Sequence, residues 1–145
     1  MLKYRLLHPQ LLSALGRAGH GSRILIADSN YPVITGAPPA AEHIYLNLAP
    51  GLIAATDVLK VLLDAIPIEA AMAMLREDGG EPSIVAEFRE ILPASVDLRL
   101  LERFAYYQQV RSPDTILVIA TGEQRLYANL LLVVGVMTAD GEARY

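Results

Sequence analysis

Residues 22–32 read SRILIADSNYP. Ile24, Leu25, Ile26 and Ala27 form an unbroken apolar run, and a cluster of turn formers starts at Asp28. A half-solvated strand alternates apolar and polar residues. A run with neither alternate set polar suits a strand covered on both faces, and the Asp-Ser-Asn-Tyr-Pro that follows ends it. TILVIAT (115–121) and NLLLVVGVM (129–137) follow the same pattern and read as strands too.

Working outward, Pro9 suits the first position of a helix in which Leu11, Ala14, Leu15 and Ala18 recur at i, i+3, i+4 and i+7. Gly19 can close that helix in the left-handed conformation. His20 then lies just past a helix C-terminus, where the macrodipole favours a cation. EHIYLNL (42–48) and VDLRLLE (96–102) read as strands. GLIAATDVLKVLLDAI (51–66), EPSIVAEFREIL (81–92) and RFAYYQQV (103–110) read as helices. PIEAAMAML (67–75) admits both, since its alanines favour helix and its place after a helix favours strand. TGAPPAAE (35–42) and REDGGEP (76–82) are loops. Helices alternate with apolar strands, which predicts a three-layer α/β/α fold with a mostly parallel central sheet. One domain over residues 1–145 is expected.

Composition narrows the function classes. Of the 145 residues 53% are hydrophobic, enough for a heavily covered core or an apolar face that meets a partner. Net charge is −4 with both signs scattered, so nucleic acid is not an expected partner. The absence of cysteine removes disulfides, thiolate catalysis and zinc–thiolate sites. His8, Pro9 and Gln10 interrupt the apolar N-terminal stretch, so no signal peptide is expected there. The longest apolar run is far short of the ~20 residues of a membrane-spanning helix. A soluble, cytoplasmic protein is the expectation. No G-x-x-x-x-G-K-[ST] loop, dinucleotide fingerprint or G-x-S-x-G elbow occurs. His8, His20 and His43 lack metal-ligand spacing. A cofactor-free reaction, or none, fits this inventory.

Four places can carry chemistry. His20, between two glycines, is either a helix-terminal histidine that favours the dipole or a general acid/base. Asp28 either caps the turn after its strand or binds a ligand, since ligands in open α/β sheets sit outside the carboxyl ends of parallel strands. Arg103 with Tyr106 and Tyr107 is either a solvated charge over packing residues or a surface of fixed donors for a polyhydroxylated ring. Tyr127 and Asn129, in ATGEQRLYAN (120–129) with Glu123, are either plain turn residues, Asn129 in a left-handed position, or ligands of that ring.

The order GHG…ILIADSNYP, ERFAYY, ATGEQRLYANLLLVVGV closely resembles the sugar mutarotase family that contains L-fucose mutarotase and D-ribose pyranase. The resemblance runs over nearly the whole chain. It implies His20 as proton donor, and Asp28, Arg103, Tyr127 and Asn129 as sugar-binding residues. It also implies a cofactor-free α/β isomerase that forms ring-like homo-oligomers, typically decamers, with sites completed by neighbouring subunits. NLAPGL (47–52) stands where fucose-type members tend to carry Arg-x-Asp-Gly, and residues 48–73 look more like the ribose type. Arg103, where ribose-type members have histidine, favours fucose.

Mutarotation of an aldose needs a proton taken from the anomeric hydroxyl and another given to the ring oxygen. The expectation is that His20 passes the proton and Tyr127 handles the second oxygen. With residues 22–27 extended at ~3.3 Å per residue, His20 and Asp28 lie most of a strand apart. His20 is therefore expected to join the Asp28, Arg103 or Tyr127 cluster of a neighbouring chain. Pyranose–furanose exchange of ribose, a sugar-binding accessory protein without turnover, and an oligomer with a vestigial site are the competing expectations.

Overall fold

The structure is a computed structural model that describes residues 2–144, with the backbone alone at residues 143 and 144. In chain order its elements are α1 (Pro9–Arg17), β1 (Arg23–Ala27), β2 (Glu42–Tyr45), α2 (Ala55–Leu63), β3 (Ile68–Met74), α3 (Ile84–Ile91), β4 (Asp97–Leu101), α4 (Arg103–Val110), β5 (Thr115–Ala120), β6 (Leu130–Val134), β7 (Val136–Met137) and β8 (Ala143–Arg144). Six strands make one sheet in the order β2-β5-β1-β6-β3-β4, and β7 pairs with β8. The pairings β2–β5, β5–β1 and β3–β4 are parallel. β6 alone runs against its neighbours, β1 and β3. The expected mostly parallel sheet is present, with one reversed strand at its middle.

Helices cover both faces, which explains the unbroken apolar runs. Ile24 and Ile26 of β1, Leu117 and Ile119 of β5, and Leu130 and Leu132 of β6 pack with α1, α2 and α3. The alternate residues Leu25, Ala27, Val118 and Leu131 pack on the other side with Tyr106 and Val110 of α4, and with Tyr31, Ala37 and Ala41. Residues 24–27 are all 0% exposed. Burying a side chain of leucine or isoleucine size contributes ~1.5–3 kcal/mol, so these strands anchor the sheet.

The expected boundaries shift where the backbone demands it. α2 starts at Ala55 rather than residue 51, because Gly51 and Ile53 adopt positive φ (77° and 58°) that no helix accommodates. The Asp57 carboxylate then caps it, accepting the Ala54 N–H at 3.1 Å. β2 ends at Tyr45, short of residue 48. Residues 68–74 are strand: pairing on both sides, with β6 and β4, outweighs the helix preference of the alanines. Gly19 does not close α1. Ala18 caps it in an extended conformation, and the left-handed residue is Gly21 (φ 79°). The last run breaks at Gly135, whose N–H donates to the Pro67 carbonyl at 2.9 Å. The break divides it into β6 and β7.

Candidate active site

The carboxyl ends of β1, β3 and β4 meet the amino end of β6 at one edge of the sheet, the position where open α/β sheets hold ligands. A cleft of about 210 Å³ opens there, lined by Asp28, Asn30, Tyr31, Met74, Arg103, Tyr107, Leu126, Tyr127 and Asn129. Asp28, Arg103, Tyr127 and Asn129, all singled out from sequence, thus share one cleft. Its size falls below the ~300–1,000 Å³ of sites for drug-sized ligands and suits a small one. A second, comparably sized cavity, about 240 Å³, lies between α1 and α2. Its walls are mostly leucine, isoleucine and valine, and its one acid, Asp57, is occupied as a helix cap. It lacks the convergent polar groups of a binding site.

Asp28 and Asn129, each 4% exposed, form a reciprocal pair at the cleft floor. The Asp28 N–H donates to Asn129 Oδ1 at 2.9 Å, and Asn129 Nδ2 donates to Asp28 Oδ2 at 2.8 Å. Asp28 also accepts the N–H of Ala128 at 3.1 Å and of Asn30 at 2.9 Å. The reading of this aspartate as the cap of its turn holds, and the same residue lines the cleft. An ionised carboxylate offers about four acceptor positions, so three donors leave room for one from a ligand.

Burial raises the Asp28 pKa, against the lowering effect of these hydrogen bonds. A group with a raised folded pKa holds its proton longer when folded than when unfolded. Its stabilising contribution is complete below the unfolded value and is lost as pH rises through the folded value. Stability from denaturant titrations should thus dip as pH climbs above about 3.9, and Asp28→Asn should remove that dip. Glu123, held below its usual range mainly by Arg125, acts with opposite sign and at lower pH.

Asn129 is not the left-handed residue of its turn; Tyr127 is, at φ 61°. Tyr127 lines the cleft and packs against the smaller core cluster. Arg103 opens α4 with its guanidinium 4.9 Å from the centre of the Phe104 ring. It makes no ion pair among the described residues, so its donors are available to a ligand. Tyr107, one turn further along α4, lines the cleft, while Tyr106 is fully buried in the core. Tyr107 packs against Tyr31, with ring centroids 5.5 Å apart. Tyr31 donates its hydroxyl to the Gly36 carbonyl at 3.0 Å. Asn30, Tyr31, Met74 and Leu126 were not singled out from sequence. The first two sit in SNYP, where they read as turn chemistry.

His20 is elsewhere. It follows α1, at the amino end of β1, with the five residues of that strand at about 3.3 Å each between it and Asp28. The side chain is 60% exposed, and Nε2 lies 2.9 Å from Glu69 Oε2 at the start of β3. A carboxylate partner on one ring nitrogen fixes the orientation of the imidazole. Glu69 is a partner the sequence did not suggest, since its strand could not be told from a helix.

Other polar groups have structural roles. His8 Nδ1 accepts the Leu11 N–H at 3.3 Å as the cap of α1, and His43 Nε2 lies 2.9 Å from the Val33 carbonyl. Glu123 is buried and does not line the cleft; it binds Arg125. Among the described residues no group of three or more His, Asp or Glu is placed to hold a metal ion. No described helix is long and apolar enough to cross a membrane.

A model of the RbsD / FucU transport protein family matches residues 1–137. Human fucose mutarotase is 34% identical over 148 residues, covering 93% of this chain and 92% of that protein. Bacillus subtilis RbsD, solved complexed with D-ribose, superposes with a TM-score of 0.81 at 31% identity, covering 95% of this chain and 100% of that one. The Streptococcus pneumoniae fucose mutarotase, solved with L-fucose, superposes at 0.79 and 27% identity, covering 94% and 100%.

Proposed function

The chain belongs to the RbsD / FucU transport protein family, and from that premise we propose that it is a cofactor-free sugar mutarotase. It is an isomerase that exchanges the anomers of a free monosaccharide, L-fucose or a related aldose. The observation that carries this reading is the convergence of Asp28, Arg103, Tyr127 and Asn129 on one small cleft. An acceptor carboxylate, an amide and a guanidinium with no ion pair among the described residues suit the ring of hydroxyls a sugar presents.

Ring opening breaks the bond between C1 and the ring oxygen. The anomeric hydroxyl gives up its proton as the C1 carbonyl forms, and the ring oxygen takes one up. Rotation about C1–C2 and closure on the other carbonyl face reverse both transfers. His20, steadied by Glu69, passes one proton, and the Tyr127 phenol serves the second oxygen. Asp28, Arg103 and Asn129 hold the remaining hydroxyls. His20 lies a strand length from the cleft in its own chain, so it serves the cleft of a neighbour. The working unit is a homo-oligomer, ring-like and decameric on the family resemblance, and cytoplasmic.

Saturation-transfer NMR over a panel of free aldoses tests the assignment. Accelerated anomer exchange of L-fucose supports it, and tight sugar binding with no acceleration would identify a binding protein instead. The ribose-type wording of residues 48–73 favours a second reading, pyranose–furanose exchange of D-ribose, which the same panel separates. Glu69→Gln keeps a hydrogen bond to His20 but removes the charge facing it. Exchange should fall about tenfold with sugar affinity unchanged, and an unchanged rate would leave Glu69 without a part in the reaction.

A further inference from the structure

The segment 121–129 carries three residues of the cleft, Leu126, Tyr127 and Asn129, and is fastened from both ends. At its start, the Thr121 N–H and hydroxyl donate to the Ala27 carbonyl at 3.0 and 2.8 Å. The Glu123 carboxylate, in a residue 5% exposed, accepts the Arg125 N–H, Nε and Nη2 at 3.0, 3.0 and 2.9 Å. It also reaches the Ala55 N–H at the start of α2, at 3.4 Å. Arg125 is paired in turn with Glu87 of α3. At the far end, Ala128 and Asn129 are bonded to Asp28. Only Leu126 and Tyr127 lie between the two fastenings, and Tyr127 is the residue with φ 61°.

A left-handed conformation at a side-chain-bearing residue persists only where its surroundings over-determine it. Side-chain packing supplies only part of that constraint: Leu126 is 65% exposed, and Tyr127 is half-buried against the smaller core cluster. The flanking bonds supply the rest, and on the near side the side-chain bonds that reach furthest along the segment belong to one ion pair, Glu123 and Arg125.

We propose that Glu123 and Arg125 are positioning residues, which hold the Tyr127 phenol in its reactive place by fixing the backbone two residues before it. The proposal rests on the reading of Tyr127 as the group that serves the second sugar oxygen. Glu123 and Arg125 touch no substrate. Their effect travels through the bend, and it falls on the rate of exchange rather than on the affinity for sugar, which Asp28 and Asn129 govern.

The test is a double-mutant cycle read by exchange NMR and by sugar titration. Glu123→Gln and Arg125→Met should each lower exchange at saturating sugar about tenfold, with the dissociation constant within about twofold of the parent. Each variant removes one side of the pair, so a single folded variant suffices. Tyr127→Phe should lower exchange about 10²-fold, and adding either substitution to it should cause no further loss. If the Glu123 or Arg125 substitution is as damaging in the Tyr127→Phe background as alone, or if affinity falls in step with rate, positioning through Tyr127 is overturned while the mutarotase reading stands. Wild-type exchange by Tyr127→Phe would instead remove the role of Tyr127, and the proposal with it.

Discussion

Replacing His20 with alanine should lower catalysed anomer exchange by about 10²–10⁴-fold, the usual share of a general acid/base, while sugar still binds. The side chain is 60% exposed and, among the described residues, bonds only to Glu69, so its removal leaves the core intact. Asp28, Arg103 and Asn129 remain in the cleft to hold the sugar. Exchange at the parental rate would exclude His20 from the reaction. A second measurement tests where it acts. Asp28→Asn should also be inactive, and its co-assembly with His20→Ala should restore exchange, because some clefts then combine an intact histidine from one chain with an intact aspartate from another. Mixed assemblies that form yet stay inactive would show that no site combines His20 of one chain with Asp28 of another.

The second large effect is expected at a residue with no side chain. A Cβ on Gly122 would lie 2.0 Å from the Leu52 carbonyl oxygen and 2.6 Å from that of Ala49. Both are backbone atoms of the turn before α2. That turn is itself bonded to Gly122, with the Gly122 N–H on the Ile53 carbonyl at 3.1 Å and the Gly51 N–H on the Gly122 carbonyl at 2.7 Å. No rotamer change can relieve the clash, so the two segments must part. Gly122→Ala should cost about 3 kcal/mol, the upper part of the range for overpacking. It should appear as a lower denaturant midpoint at an unchanged slope. Exchange should fall too, since Gly122 opens the segment that ends in Tyr127 and Asn129. An unchanged midpoint would mean that this close approach does not hold in solution.

Burial on both faces wrote itself into the sequence, which is why β1, β5 and β6 could be read directly from unbroken apolar runs. Direction left no such trace. A strand with no polar face looks the same read either way, so the reversal of β6 had to come from its connection. Residues 121–129 return from β5 without a crossover helix, and a parallel partner would require one. Cleft residues were legible where they followed a strand, opened a helix or sat in a turn: Asp28, Arg103, Tyr127 and Asn129. Glu69 was not, because a lone acid in an alanine-rich run gives no sign of a partner 49 residues away. Tyr106 and Tyr107 could not be told apart, since at i+3 and i+4 both are one-turn neighbours of Arg103. A left-handed Asn129 is what plain turn chemistry suggests, because asparagine tolerates that conformation well. The structure puts Tyr127 there, between two sets of bonds strong enough to override that preference.

The reversed strand has one more consequence. Asn129 stands immediately before β6. At its other end, the Val134 carbonyl accepts the Gly21 N–H and the Val134 N–H donates to the Ser22 carbonyl, each at 2.9 Å. β6 is thus a ruler of fixed length, with the cleft at one tip and the neighbourhood of His20 at the other. On the proposed division of labour no hinge within a protomer can bring the two tips together; only the symmetry of assembly can. Dilution past the point of dissociation would then silence the enzyme while every protomer stayed folded and kept its cleft.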